Sequence, residues 1–230
     1  MIYIGLDDTD VLESRGTGHL AREIARNLAA DHVLLGVTRH QLLLDPAVPC
    51  TKNNSCSAIL LDGEAQPDLP GLLARVKSLM LADFYQGSDP GLCVATAPPV
   101  SVTDYGRRAQ REIVTQGEAR ALAEQCGIRL VGLGGDEDGV IGALSAVGLA
   151  ASGDDGRYVW VGRSRELCGL QPVSAVLAAG IAAVQTTDGR PVEEGMVHVD
   201  KLRPARRNGC PIAVVAWAED DQVWQPLKLD

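Results

Sequence analysis

The spacing of apolar residues in this 230-residue chain switches repeatedly between two periods, and that switching limits the folds open to it. Ile2, Ile4 and Leu6 alternate as in a half-buried strand, then Leu20, Ile24 and Leu28 recur at helical spacing with alanines filling the same face. The switch is repeated downstream. HVLLGVT (32–38) and SAILLD (57–62) read as strands and DLPGLLARVKSLMLADF (68–84) as a helix. LCVATA follows as a strand. A helix with capping-box spacing between Thr115 and Glu118 then ends at Gly127. IRLVGL (128–133) is a strand, VIGALSAVGLAA (140–151) a helix, RYVWVG (157–162) a strand and PVSAVLAAGIAAV (172–184) a helix. The tail holds two strands around an acidic turn. Alternating strands and helices predict an α/β protein with a mixed or mostly parallel sheet, helices packed on it, and a small C-terminal β appendage. The pattern turns all-β near DGRPVEEG, which places the expected boundary between a domain at 1–187 and an extension at 188–230.

Aromatic residues make up only 3% of the chain against 46% hydrophobic residues, so its core must be built from Ala, Val, Leu and Ile. Six cysteines stand singly, without the C-x-x-C pairs of a zinc ribbon, and read mainly as small buried hydrophobes. No apolar run is long enough for a bilayer, and the start has no basic region or cleavage site, so a cytoplasmic protein with no membrane partner is expected. A formal net charge of −9 makes nucleic acid an unlikely partner for this chain alone, because such binding neutralises phosphates with Lys and Arg. The exception is one basic cluster, KLRPARRNG, with Lys201, Arg203, Arg206 and Arg207: a solvated loop, or a local anion site.

Four stretches could carry chemistry. GLDDTD crowds Asp7, Asp8 and Asp10 between the first strand and the first helix, where ligands sit in open α/β sheets. Carboxylates so placed suit Mg²⁺, which takes oxygen ligands and bridges to phosphates; one of them could instead accept a proton, or Asp10 could simply cap a helix. In SRGTGHL, Gly16 and Gly18 flank Thr17 at the expected N-cap, and helix-start N–H groups with Arg15 nearby attract anions. GLGGDEDGVIGAL runs from a strand through glycines into a helix, as phosphate-binding turns do, but has no Walker lysine and places three acids in the loop. A metal must intervene there, or the acids must point away. DPAVPCTKNNSC offers Lys52, Asn53 and Asn54 in a proline-braced loop, groups that suit a phosphate or a polar heterocycle.

Taken in order, GLDDTD, RGTGHLA, DPAVPCTKNN, SDPGLCV and GGDEDGVIGALSAVG resemble the N-terminal kinase-like domain of the archaeal tRNA(Ile2) 2-agmatinylcytidine synthetase family. The resemblance spans residues 1 to about 185. It implies an enzyme dependent on ATP and Mg²⁺, of a family that activates the C2 oxygen of a cytidine for displacement by agmatine. Carried over, Asp7, Asp8 and Asp10 would hold Mg²⁺, with Asp7 or Asp8 as the base. Thr17 matches the family's helix-start threonine, proposed there as a phosphorylation site. Lys52 and Asn54 match a KT-x-GN block, and Gly134, Gly135, Gly139 and Gly142 the loop that meets the nucleotide. The chain departs from the pattern at Gly18, where the family has a second threonine, and at TKNN. It also has no segment matching the family's OB-fold or zinc ribbon.

The expected activity is therefore ATP-dependent phosphoryl or nucleotidyl transfer to an oxygen of a small polar substrate, as a kinase- or synthetase-like transferase. The alternatives are the catalytic subunit of a tRNA-modifying complex and a nucleotide-binding module without turnover. A second copy or a separate subunit stays open as partner.

Overall fold

The computed structural model describes residues 1–12, 15–48, 50, 53–63 and 67–229, with Lys201 described in its backbone only. The chain forms two compact units, Met1–Ser152 and Gly153–Asp230. The division falls ahead of the boundary read from the sequence.

In the first unit, β1 (Ile2–Asp7) leads through α1 (Thr17–Leu28) to β2 (Leu34–Gln41) and β3 (Ser55–Leu61). The chain continues through α2 (Leu69–Asp83), β4 (Gly91–Thr96), α3 (Val100–Ala109), α4 (Gln116–Gln125), β5 (Arg129–Gly132) and α5 (Gly139–Ser152). The strands lie in the order β5-β4-β1-β3-β2, and each neighbouring pair among them is antiparallel. The α/β class and the mixed sheet hold, but antiparallel pairing dominates, so the mostly parallel alternative does not. The reason is topological. β1 and β2 run the same way across the α1 crossover, yet β3 is inserted between them; β1 likewise separates β3 from β4 across α2. Each is a split β-α-β unit, so the two strands joined by each crossover helix are not sheet neighbours.

Alternation along β1 sends Leu6 to one sheet face and Gly5 to the other. Leu6 is paired with Ser57, whose Oγ lies near Gly18 of α1, so α1 covers the Leu6 face. On the opposite face a Cβ at Gly5 would lie 2.0 Å from the Ala143 carbonyl oxygen, so α5 meets the sheet backbone to backbone. On its far side α5 meets α3 in the same way, with Gly148 against the Val102 carbonyl. From Val140 to Ala150 every residue of α5 but Ile141 is buried. A core poor in aromatics is thus filled by small residues that let helix and strand backbones approach closely.

In the second unit, β6 (Arg157–Trp160), β7 (Leu170–Pro172), α6 (Val173–Ala178), β8 (Ala183–Thr186), β9 (Met196–His198), β10 (Ala205–Arg207), β11 (Cys210–Ala218) and β12 (Val223–Pro226) follow in sequence. Their order is β6-β10-β11-β12-β9-β7, with β8 parallel to β11 and β9 parallel to β12. The helix expected at 172–184 is only half helix. Gly180, at φ 99°, breaks it, and the chain continues as β8. The two tail strands appear as β11 and β12 around residues 219–222. The cysteines depart from the expected buried state: Cys56 and Cys93 are buried, whereas Cys50, Cys168 and Cys210 are exposed. No helix among the described residues is long and apolar enough to cross a membrane.

Candidate active site

The strand registers bring the motif stretches of the first unit to one end of its sheet. Asp7 is paired with Gly91, and Gly91 with Gly132, so the end of β1, the loop before β4 and the glycine-rich loop after β5 are adjacent. Leu6 pairs with Ser57 and Gln41 with Ser55, which sets Asn54 and the β2–β3 loop at the same end. The N-termini of α1 and α5 open there too.

The three aspartates of the first stretch diverge. Asp7 lies on the α5 face, its carboxylate accepting from the Asp8 N–H and packed against Gly142. Burial, and then the charges of Asp8 and Asp10, hold its pKa well above the usual carboxylate range. Asp8 takes a left-handed backbone conformation, φ 49°, which is costly for a residue with a side chain and turns it out of the strand direction. Its carboxylate accepts from the Asp89 N–H and is pushed up to about 6 by desolvation, then by the charges of Asp89, Asp10 and Asp138. Asp10 turns toward α1 and accepts a 2.9 Å hydrogen bond from Thr17 Oγ1. Among the described residues, no group of three or more His, Cys, Asp or Glu converges as metal ligands. Asp7, Asp8 and Asp10 thus lie close in sequence but turn to different partners. The donor chemistry still fits Mg²⁺, because that ion is commonly held by one or two carboxylates together with substrate phosphates.

Thr17 is not the N-cap. Gly16 is, and Thr17 is the first helical residue. The Thr17 hydroxyl is buried, giving its hydrogen to Asp10 and receiving hydrogen bonds from Thr9 Oγ1 at 3.2 Å and Thr9 N–H at 3.4 Å. Gly16 has no side chain with which to satisfy the first-turn amides of α1, and those amides favour an anion. Gly18 is partly exposed in the same turn, its carbonyl accepting from Arg22 at 2.7 Å. Arg15 is exposed, and a hydrogen bond to Tyr85 raises its pKa.

In the glycine-rich loop two of the three acids are held by partners within the unit. Glu137 turns to Arg120, and Asp138 accepts from Gln116 Nε2 at 2.6 Å. The anion against the loop is the protein's own. Asp89 Oδ1 accepts the Asp136 N–H at 2.7 Å and lies where a Cβ at Gly135 would be, while Gly135 itself needs its φ of 56°. Gly134 is partly exposed beside Phe84 and Pro90. Gly139 and Gly142 are buried, and contacts with the Asp89–Gly91 backbone and with Asp7 account for them. Asn54 braces its loop: its Nδ2 donates to the Leu43 carbonyl at 2.8 Å, and its own carbonyl accepts from Leu42 N–H at 2.8 Å and from Gln41 Nε2. Lys52 lies outside the described residues.

Asp89 and Asp138 were not singled out from the sequence. Local pattern gives these two acids no common site, and only the strand registers bring their charges to Asp8.

No family model matches the chain. It is 28% identical over 151 residues to an uncharacterized protein of Methanocaldococcus jannaschii, covering 65% of this chain and 50% of that protein. It is 25% identical over 150 residues to the tRNA(Ile2) 2-agmatinylcytidine synthetase TiaS of Cenarchaeum symbiosum, covering 64% of this chain and 33% of the relative. The matches thus span about half and a third of these relatives' lengths. Solved TiaS structures share the fold. The complex with tRNA(Ile2) and ATP has a TM-score of 0.56 at 21% identity, over 64% of this chain and 36% of that one. The complex with tRNA(Ile2), AMPCPP and agmatine has a TM-score of 0.54 at 21% identity, over the same shares. Over about 64% of its length, this chain is homologous to part of TiaS, an ATP-using tRNA-modifying enzyme.

Proposed function

We propose that this end of the first sheet is the active site of an enzyme that uses ATP and Mg²⁺ to phosphorylate or adenylylate an oxygen of a small polar substrate. The observation that carries the reading is the convergence of the separate motif stretches on Asp8, whose carboxylate is held near pKa 6. The homologue's structures with ATP and with AMPCPP support a nucleotide ligand. The amides of α1, with Gly16, Gly18 and Arg15, would receive phosphate oxygens. Gly134 and Gly135 would border the nucleotide, with Gly139 and Gly142 setting the close approach of α5 beneath it. Asn54 would act through its loop, where Lys52 belongs to the same assignment.

Asp8, with Asp7 or Asp10, would hold Mg²⁺, which would supply neutralisation of phosphate charge. Of Asp7 and Asp8, the carboxylate that does not hold the ion would be the one to take the proton of an attacking hydroxyl. Thr17 and Asp10 form a hydroxyl–carboxylate pair at the α1 N-terminus. In this reading Thr17 would be the residue that accepts a phosphoryl group.

A second reading has a specific observation behind it. The TiaS structures hold tRNA(Ile2), so they give no support to the expectation, drawn from net charge, that nucleic acid is an unlikely partner. In that reading the chain modifies tRNA, by itself or with a further subunit. Incubating the chain with radiolabelled ATP, Mg²⁺ and either small amine and hydroxyl acceptors or cytidine-containing tRNA separates the readings. ADP or AMP formation that depends on a small acceptor supports the first; formation that depends on tRNA supports the second. No acceptor-dependent turnover in either arm contradicts an enzyme that acts by itself.

A further inference from the structure

The basic cluster read from the sequence is divided by the fold. Arg206 is taken up by its own unit: its guanidinium lies over the Tyr158 ring at 5.7 Å and donates to the Tyr158 hydroxyl and to the Gly209 carbonyl, the latter at 2.8 Å. Arg207 donates to the Arg206 carbonyl at 2.9 Å. Arg203 is different. With Arg165, which is remote from the cluster in sequence, it lines a cavity of about 90 Å³ in the second unit, along with Tyr158, Ser164, Leu167 and Asp200.

We propose that this cavity is a binding site for a small oxyanion of the phosphate class, gripped between Arg165 and Arg203. Each guanidinium carries five N–H donors. The structure shows one Arg165 hydrogen bond, to the Val159 carbonyl at 3.1 Å, and one from Arg203, to the Leu202 carbonyl at 2.7 Å. Among the described residues neither forms an ion pair with a carboxylate. The acid at the cavity wall is already engaged, Asp200 accepting the Gly169 N–H at 2.7 Å and lying 3.7 Å from His198 Nε2. Burial, and then the charge of Arg165, lower the Arg203 pKa, so two like charges face each other with one partly desolvated. A dianion removes that repulsion, and the planar donor forks of arginine match its oxygens. Ser164 adds a hydroxyl at the rim. A water needs roughly 10–15 Å³ of such space, so the cavity has room for a group of phosphate size.

The site stands apart from the nucleotide reading of the first unit, and its test is built to show that. Thermal unfolding of the full chain is followed in increasing inorganic phosphate against chloride at matched ionic strength, with acetate as a third arm. A saturable, phosphate-specific rise in Tm is expected, as for any ligand that binds only the folded state. In Arg165→Gln, an exposed position whose change leaves the core intact, the phosphate affinity should fall about tenfold or more, as it should in Arg203→Gln. Asp8→Asn should leave it unchanged. Absence of a phosphate-specific shift in the wild-type chain would overturn the proposal. So would an undiminished shift in Arg165→Gln, which would place the phosphate elsewhere. An equal response to acetate would refute the dianion assignment.

Discussion

The Asp7 carboxylate rests against Gly142 at the first turn of α5, so closely that a Cβ on the glycine would fall 1.7 Å from Oδ2. That contact joins the acidic end of β1 to the start of α5. Gly142→Ala must therefore displace either the carboxylate or the helix. A loss of about 1–3 kcal/mol in denaturant unfolding is expected, from overpacking a close-packed contact. Gly5→Ala meets the Ala143 carbonyl at 2.0 Å and should cost at least as much, because backbone cannot swing aside. Unchanged stability in both variants would contradict this packing of α5 on β1.

Asp8 makes a stability prediction of opposite sign to most single substitutions. Its folded-state pKa of about 6 lies above that of an unfolded aspartate, so the folded chain holds the proton more tightly than the unfolded one. Its contribution is therefore most favourable below the unfolded pKa and is lost as pH rises through the folded value. Asp8→Asn should be more stable than the wild type near neutral pH, with the advantage fading as pH falls toward about 4. Denaturant melts at the two pH values test this; a variant less stable at both would refute the account of Asp8.

At Thr17 the prediction turns on the hydroxyl rather than on bulk. Thr17→Val keeps the shape but removes the hydrogen bond to Asp10, leaving buried polar partners unsatisfied at a cost of about 1–3 kcal/mol. Thr17→Ser restores the hydroxyl and should recover most of that stability. Intact-mass measurement after incubation with ATP and Mg²⁺ tests the accepting role: a phosphate-sized gain in the wild type and in Thr17→Ser, absent in Thr17→Val, is expected.

Asp89 separates charge from hydrogen bonding. Asp89→Asn keeps a carbonyl oxygen for the Asp136 N–H but removes the largest of the charges that, after burial, raise Asp8. The Asp8 carboxyl, followed by NMR, should then titrate below about 6 while the glycine-rich loop keeps its amide protection. Asp89→Ala should lose both. An unmoved Asp8 titration in Asp89→Asn would show that Asp89 is not what raises it.

Much of this architecture could be read from residue patterns, and the exceptions have physical causes. Periodicity located α1 and local capping the start of α4, while α5, buried on nearly all sides, was legible as a run of small helix-compatible residues. α3 and the short strands β7, β9 and β10 were missed, the strands being three residues each and held by their partners rather than by their own pattern. The mixed sheet was legible, but the dominance of antiparallel pairing was not, because a crossover that skips a strand has the same sequence signature as one that does not. The stretches of the site were visible as separate motifs, but their meeting was not. Asp89 and Asp138 reach Asp8 only through the antiparallel registers of β1, β4 and β5. Thr17 looked like a helix cap and became a buried partner of Asp10, since the chain folds back at the left-handed Asp8.

The most direct test of the central claim is a calorimetric titration of ATP into the folded chain, with and without Mg²⁺, beside Asp8→Asn. The account predicts saturable binding that strengthens with Mg²⁺ and loses that strengthening in Asp8→Asn. Binding that ignores both Mg²⁺ and Asp8, or no binding by the folded chain, would contradict it.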